Sequence, residues 1–311
     1  MKKVLVTGAA GILGTEVIKS LLTEGKYIIT LLDLNNHSIK NKLKKYKRRC
    51  RIINGDLNDQ NFVDEIIKDF DVIIHLASIK PYYLEFNPEL SKKIELNMTE
   101  NIVRAINYYN PNCKLIYSST TSVYGDKLKS YNANCVIRNH FTNNWTKAKY
   151  KCEELIKNKI SDYTIVRFPL ILGNLKKEKL IYQFKKDSVI SSITKEDAAY
   201  LITRILDKKR TCKNKIINAS GNKDFIIEYS HLIKKITAFA GLKSDMVLAQ
   251  TIIDKDIYSP ICNDTEYYAN LLKYQNDTLN NYLARNKDSS RLSFISKKIG
   301  ALYLKLWLRK K

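Results

Sequence analysis

The chain has 311 residues, ordinary hydrophobic content and a formal net charge of +23. That length can bury a full core as one large α/β domain, or as a large domain with a small partner, and it excludes a peptide-sized module. No apolar run approaches the roughly 20 residues needed to span a bilayer. The start, Met1-Lys2-Lys3 followed by apolar residues, lacks a small-residue cleavage site and runs into Gly8, Gly11 and Gly14, which argues against a signal peptide. Six cysteines without CxxC spacing suggest neither a disulfide framework nor a zinc site, and point to a reduced cytoplasm. The cations are 43 lysines and 11 arginines spread over nearly every segment, so they read as solvated faces and not as a nucleic-acid stripe.

From the N-terminus, the apolar run Val4-Leu5-Val6 passes into Thr7-Gly8-Ala9-Ala10-Gly11-Ile12-Leu13-Gly14 and then an amphipathic stretch through Leu22. Strand, glycine turn and helix in that order form a phosphate cradle. Glycines let the backbone approach the ligand, and the N–H groups and dipole of the helix start favour an anion. The next strand ends in Asp33, nineteen residues after Gly14. A carboxylate at about that spacing accepts adenosine ribose hydroxyls and repels a 2′-phosphate, so the expected cofactor is NAD. The segment Asn41–Arg51 (NKLKKYKRRCR) is a charge run, read as a solvated surface.

Short apolar runs and helical periodicity then alternate, as in a parallel sheet with helices on both faces. Strands are predicted near 2–7, 27–33, 50–54, 71–76, 113–118, 162–168 and 214–218. Helices are predicted near 12–24, 58–69, 88–109, 144–159, 195–208 and 227–240. The fold class is a doubly wound α/β Rossmann sheet with a small C-terminal substrate region. Its predicted parts are a cofactor domain over 1–168, a substrate region over 169–288 interleaved with the last sheet strands, and a basic amphipathic helix over 289–311.

The segments TGAAGILG, Asp33-Leu34-Asn35-Asn36, Gly55-Asp56-Leu57, His75-Leu76-Ala77-Ser78, Asn97 and Ser118-Ser119-Thr120-Thr121-Ser122-Val123-Tyr124-Gly125 occur in the order found in one family. From residue 2 to about 240 the chain resembles the extended short-chain dehydrogenases/reductases of the NAD-dependent epimerase/dehydratase type. The resemblance implies that Gly8, Gly11, Ile12, Leu13, Gly14 and Asp33 hold the cofactor. It places Asp56 and Leu57 beside the adenine, and Leu76, Ala77, Ser78 and Lys80 along the ribose and pyrophosphate. Thr120 takes the place of the catalytic Ser/Thr that hydrogen-bonds substrate.

The family then carries Tyr-x-x-x-Lys followed four residues later by Glu. Here Trp145-Thr146-Lys147-Ala148-Lys149 with Glu153 keeps that register, and tryptophan replaces the tyrosine. A second register pairs Lys147 with Asn143, which also lacks a phenol. Indole is a donor only and cannot take a proton from a sugar hydroxyl. Lys149, at i+4 from Trp145, keeps its place for the nicotinamide ribose. His140, in the preceding loop, is a candidate substitute base by its ordinary pKa, although a lone loop histidine is more often solvent-exposed than catalytic, and His75 is read as structural. Leu170 stands where many members have Asn, and only about twenty residues separate Gly173 from Ile193, a short lid.

Residues 289–311 carry apolar positions Leu292, Ile295, Ile299, Leu302 and Leu306, with seven Lys/Arg and no acid. Such a helix lies on an anionic membrane surface or docks on its own domain or a partner subunit. Three functions stay open, the third and weakest being a peripheral membrane assembly factor recruited through the tail. The first is an NAD-dependent epimerase or dehydratase acting on a nucleotide sugar in surface polysaccharide or glycoconjugate synthesis. The second is a catalytically impaired NAD(H)-binding pseudoenzyme that regulates or scaffolds. The expected partners are the nucleotide sugar, a second copy of the chain and a peripheral membrane contact through 289–311, with no nucleic acid.

Overall fold

A computed structural model describes residues 1–78, 92–125, 131–137, 141, 143–173, 187–208, 210–239 and 259–286. In it, β1 (Lys2–Thr7), β2 (Tyr27–Asp33), β3 (Arg51–Asn54), β4 (Val72–His75), β5 (Lys114–Thr120), β6 (Tyr163–Phe168) and β9 (Lys215–Asn218) form one sheet in the order β3-β2-β1-β4-β5-β6-β9. Every pairing in it is parallel. The order runs outward one way from β1 and the other way from β4, so a crevice opens between the carboxyl ends of those two strands.

Residues 72–75 of β4 and 4–7 of β1 are all buried, because helices cover both faces. Alternation along β1 divides the core. Val4 and Val6 point to the face covered by α1 (Ile12–Glu24) and α6 (Lys195–Asp207), while Leu5 joins the core under α3 (Gln60–Ile66), α4 (Met98–Tyr109) and α5 (Asn144–Lys159). All six cysteines are unpaired, and no helix among the described residues is long and apolar enough to cross a membrane.

The main strands and helices stand within a few residues of their predicted positions, with three differences. The helix predicted from 88 is a π-helical turn over Lys92–Asn97 followed by α4, and residues 88–91 lie outside the described residues. The charge run is the end of a helix, α2 (His37–Leu43), continued by a 3₁₀ turn at Lys44–Tyr46. The helix predicted from 227 begins as a strand, β10 (Ile226–Glu228), and continues as α7 (Tyr229–Phe239).

A second sheet, in the order β10-β8-β7, joins β10 to β8 (Val189–Thr194) and β7 (Leu170–Leu172). It carries its own core of Leu172, Ile190, Phe225, Tyr229 and Leu232, with Leu279, Tyr282 and Leu283 contributed in part by α9 (Leu279–Asn286). Between α8 (Thr265–Leu272) and α9 the chain returns to the main core. Leu272 and Tyr274 are fully buried there with Val4 and Val17. The Asp197 carboxylate of α6 accepts the N–H groups of Asn276 at 3.1 Å and Asp277 at 3.2 Å. Gln275 Nε2 donates to the carbonyls of Ser220 and Gly221 at 2.9 and 2.8 Å.

Candidate active site

The turn after β1 sits at the mouth of the crevice. Gly8 adopts φ +66°, and a Cβ there would stand 2.7 Å from the Ala77 nitrogen and 2.8 Å from the Leu76 carbonyl carbon, so the turn lies directly on the backbone that follows β4. A Cβ on Gly14 would come within 2.3 Å of the Gly8 oxygen, which is how closely α1 packs on the turn.

Helices α2, α3, α5 and α6 are capped by Asn36, Asp59, Asn143 and Thr194, each accepting a first-turn N–H. Helix α1 differs: its N-cap is Gly11, no side chain caps it, and its first turn has no acid. Its leading N–H groups, beside exposed Gly11 and Ile12, therefore have the chemistry of a seat for an anionic group. Leu13 and Gly14 are buried beneath it. Asp33, at the end of β2, holds the same turn in place. Its Oδ2 accepts the Ala10 N–H at 2.8 Å and its Oδ1 the Leu34 N–H at 2.8 Å.

Leu76 and Ala77 border the turn, and the Ala77 N–H donates to Thr7 Oγ1 at 3.3 Å. Beyond β3, Asp56 is exposed and accepts the Asn58 N–H at 2.9 Å, while Leu57 is buried and its carbonyl accepts from Asn101 Nδ2 at 2.9 Å. Lys80 and His140 lie outside the described residues. His75 bridges Thr7 Oγ1 at 2.8 Å and Thr99 Oγ1 at 3.3 Å. Burial, and secondarily the Lys149 charge, push its pKa down to about 3, so it is neutral and ties β4 to β1 and α4.

On the other side of the crevice, Thr120 ends β5. Its Oγ1 accepts the Ser122 N–H at 3.2 Å and donates to Ser122 Oγ at 3.1 Å. Lys149 on α5 is 3 % exposed. Its Nζ donates to the Ser118 carbonyl at 3.0 Å, pairs with Glu95 Oε2 at 3.0 Å and lies 4.9 Å from the Tyr117 ring centroid. Glu95, 1 % exposed, comes from the π-helical turn and accepts a hydrogen bond from Ser78 Oγ. Ser78 Oγ in turn accepts the Trp145 Nε1–H at 3.4 Å. A polar chain thus runs Trp145–Ser78–Glu95–Lys149. Trp145 and Lys149 share a helix face, with the ammonium 6.0 Å from the indole centroid. Glu95 escaped the sequence reading, and the only signal was an acid in the otherwise apolar stretch Ile94-Glu95-Leu96.

Behind this chain, the Arg167 guanidinium makes a two-point pair with the Glu153 carboxylate, at 3.0 Å from Nε and 2.5 Å from Nη2. Ser119 Oγ donates to the same carboxylate at 2.5 Å. These contacts fix α5 on β5 and β6.

A parallel sheet whose switch point carries an uncapped helix start over a glycine turn has the architecture of the Rossmann class. Residues 4–218 match the NAD dependent epimerase/dehydratase family, and the chain belongs to it. It is similar to the CDP-paratose 2-epimerase of Salmonella typhi, 31% identical over 137 residues that cover 42% of this chain and 40% of that protein. To a UDP-glucose 4-epimerase of Neisseria meningitidis serogroup C it is 32% identical over 133 residues, covering 40% of this chain and 39% of that one. The aligned stretches thus span well under half of these relatives. The fold is similar to that of UDP-glucuronic acid 4-epimerase from Bacillus cereus, solved with UDP-glucuronic acid and NAD. There the TM-score is 0.73 at 19% identity, covering 92% of this chain and 97% of that one.

Proposed function

We propose that the chain binds NAD across the β1–β4 crevice and acts on a nucleotide sugar, as an epimerase or dehydratase of surface polysaccharide or glycoconjugate synthesis. The observation that carries this reading is the start of α1 over the Gly8 turn, which has neither a side-chain cap nor an acid in its first turn; α4 and α8 also lack a side-chain cap, but they carry Glu100 and Glu266 there. Gly8, Gly11, Ile12, Leu13 and Gly14 would seat the pyrophosphate. Asp33 would reach the adenosine ribose, with Asp56 and Leu57 beside the adenine. Leu76 and Ala77 would line the path to the nicotinamide ribose at Lys149. When bound, NAD supplies the hydride acceptor. Thr120 would orient the reacting hydroxyl, and Lys149 would contribute positive charge next to it.

A second reading, an NAD(H)-binding protein impaired in proton transfer, is favoured by two details. The Trp145 N–H is a donor only and is already turned to Ser78, and the Lys149 charge is matched by Glu95. Loss of a general base costs on the order of 10²–10⁴ in rate. The test is calorimetric titration with NAD, followed by incubation with UDP-, GDP- and dTDP-sugars under NADH absorbance and product NMR, with Trp145→Tyr in parallel. Tight NAD binding with turnover in the wild type is expected. Tight binding without turnover, restored in Trp145→Tyr, would select the second reading, and absence of NAD binding would remove both.

A further inference from the structure

The basic segment that follows β2 has a construction that a generic solvated surface does not need. Ile39, Leu43, Tyr46 and Cys50 repeat at helical spacing and turn inward, the last three buried in the core beside α1. Every other position from Lys40 to Arg51 is exposed, and all of them except Asn41 are cations: Lys40, Lys42, Lys44, Lys45, Lys47, Arg48, Arg49 and Arg51. That is eight cations in twelve residues, in a chain with 54 in 311, and no acid occurs between Leu34 and Gly55.

Lys45 lies over the Tyr46 ring at 4.9 Å, and Arg49 Nη2 donates to the Leu22 carbonyl at 2.9 Å. The remaining six form no ion pair among the described residues. Elsewhere exposed lysines do find carboxylates, as Lys26 finds Glu24 and Lys157 finds Glu154. The segment starts at the carboxyl end of β2 and finishes where β3 begins, so it carries most of its charge away from the crevice. Between it and α1 runs a groove of about 480 Å³ lined by Lys19, Leu22, Thr23, Lys45, Tyr46 and Arg49.

We infer that residues 40–51 are a docking surface for an anionic lipid bilayer. A face with many unpaired cations gains attraction from every acidic headgroup it covers, and the groove gives a headgroup phosphate a recess bordered by Lys45 and Arg49. Single-stranded nucleic acid is a poorer fit, because the segment's one aromatic ring, Tyr46, is buried and offers no stacking platform. The bilayer also suits the second basic element of the sequence, residues 289–311, whose periodic apolar positions alternate with seven cations. The inference is independent of the chemistry proposed for the crevice.

The test is flotation of the full chain with vesicles of phosphatidylcholine alone and with about one-third phosphatidylserine. The variant is Lys42→Gln/Lys44→Gln/Lys47→Gln/Arg48→Gln, which removes four cations that form no ion pair among the described residues. Each cation is worth about fivefold in partitioning near an acidic surface, so the variant should bind the acidic vesicles several hundredfold more weakly. Binding should fall steeply with salt and be absent on neutral vesicles, while NAD affinity and thermal unfolding stay at wild-type values. Equal partitioning of variant and wild type, equal binding to neutral vesicles, or capture of duplex DNA without vesicle binding would each overturn the inference. Failure of NAD binding in both proteins would count against the crevice reading alone.

Discussion

Gly8 and Gly25 offer a controlled pair for measuring how tightly the cofactor turn is built. Both adopt φ +66°, so alanine at either site incurs the left-handed penalty of roughly 1–2 kcal/mol. Both also gain the same stiffening of the unfolded chain, about 0.4–1 kcal/mol. Their surroundings differ. Around a Cβ on Gly25 nothing lies within 4 Å, whereas on Gly8 it meets the backbone of Leu76 and Ala77 at 2.7–2.8 Å. Backbone cannot rotate away as a side chain can, so Gly8→Ala adds an overpacking cost of about 1–3 kcal/mol. The expected losses are about 1 kcal/mol for Gly25→Ala and about 2–4 kcal/mol for Gly8→Ala, read from guanidinium unfolding curves of equal slope. Calorimetric NAD titration should show weakened binding only in Gly8→Ala. Equal stability losses in the two variants would refute the reasoning.

Two further outcomes follow from buried ionisable groups. Glu95→Gln leaves Lys149 buried without its counter-charge and should cost about 3–5 kcal/mol, much of it recovered when Lys149→Met is added; a strictly additive double mutant would show that the two do not interact. His75, neutral in the fold with its pKa near 3 against an ordinary 6.5, binds a proton in the unfolded chain first. Its contribution is therefore complete above pH 6.5 and is lost as pH falls toward 3, with a slope approaching about 1.4 kcal/mol per pH unit. His75→Gln should flatten that part of the stability profile, and an unchanged profile would mean other groups carry the acid sensitivity.

The main sheet was legible because its strands are buried on both faces and read as unbroken apolar runs, as in Val4-Leu5-Val6 and Val72-Ile73-Ile74. The second sheet was not. β7 and β10 are three residues each, too short to show a period, and β8 carries Ser191 and Ser192 in its buried middle. Helix α2 was hidden by its own lysines, since its inward face has only one apolar residue per turn. In the crevice, Gly8 and Asp33 announce themselves by spacing along one stretch of chain. The Glu95–Lys149 pair joins residues 54 positions apart and the Trp145–Ser78 bond residues 67 apart, so only the folded topology brings them together.

Leu272 and Tyr274, buried beside Val4 and Val17, also bear on how the chain matures as it is made. The glycine turn and the backbone it packs on lie within the first 78 residues, yet the core beneath α1 and α6 also takes in Leu272 and Tyr274, some 270 positions later. Asp197 and Ser220 likewise wait for Asn276, Asp277 and Gln275 before their bonds close. A nascent chain halted before residue 272 would hold the glycine turn over an incompletely covered apolar face. Such intermediates are the ones that chaperones retain and that aggregate when synthesis outpaces them. The core beneath the turn after the first strand is therefore completed, in time, only when residues 272–277 arrive.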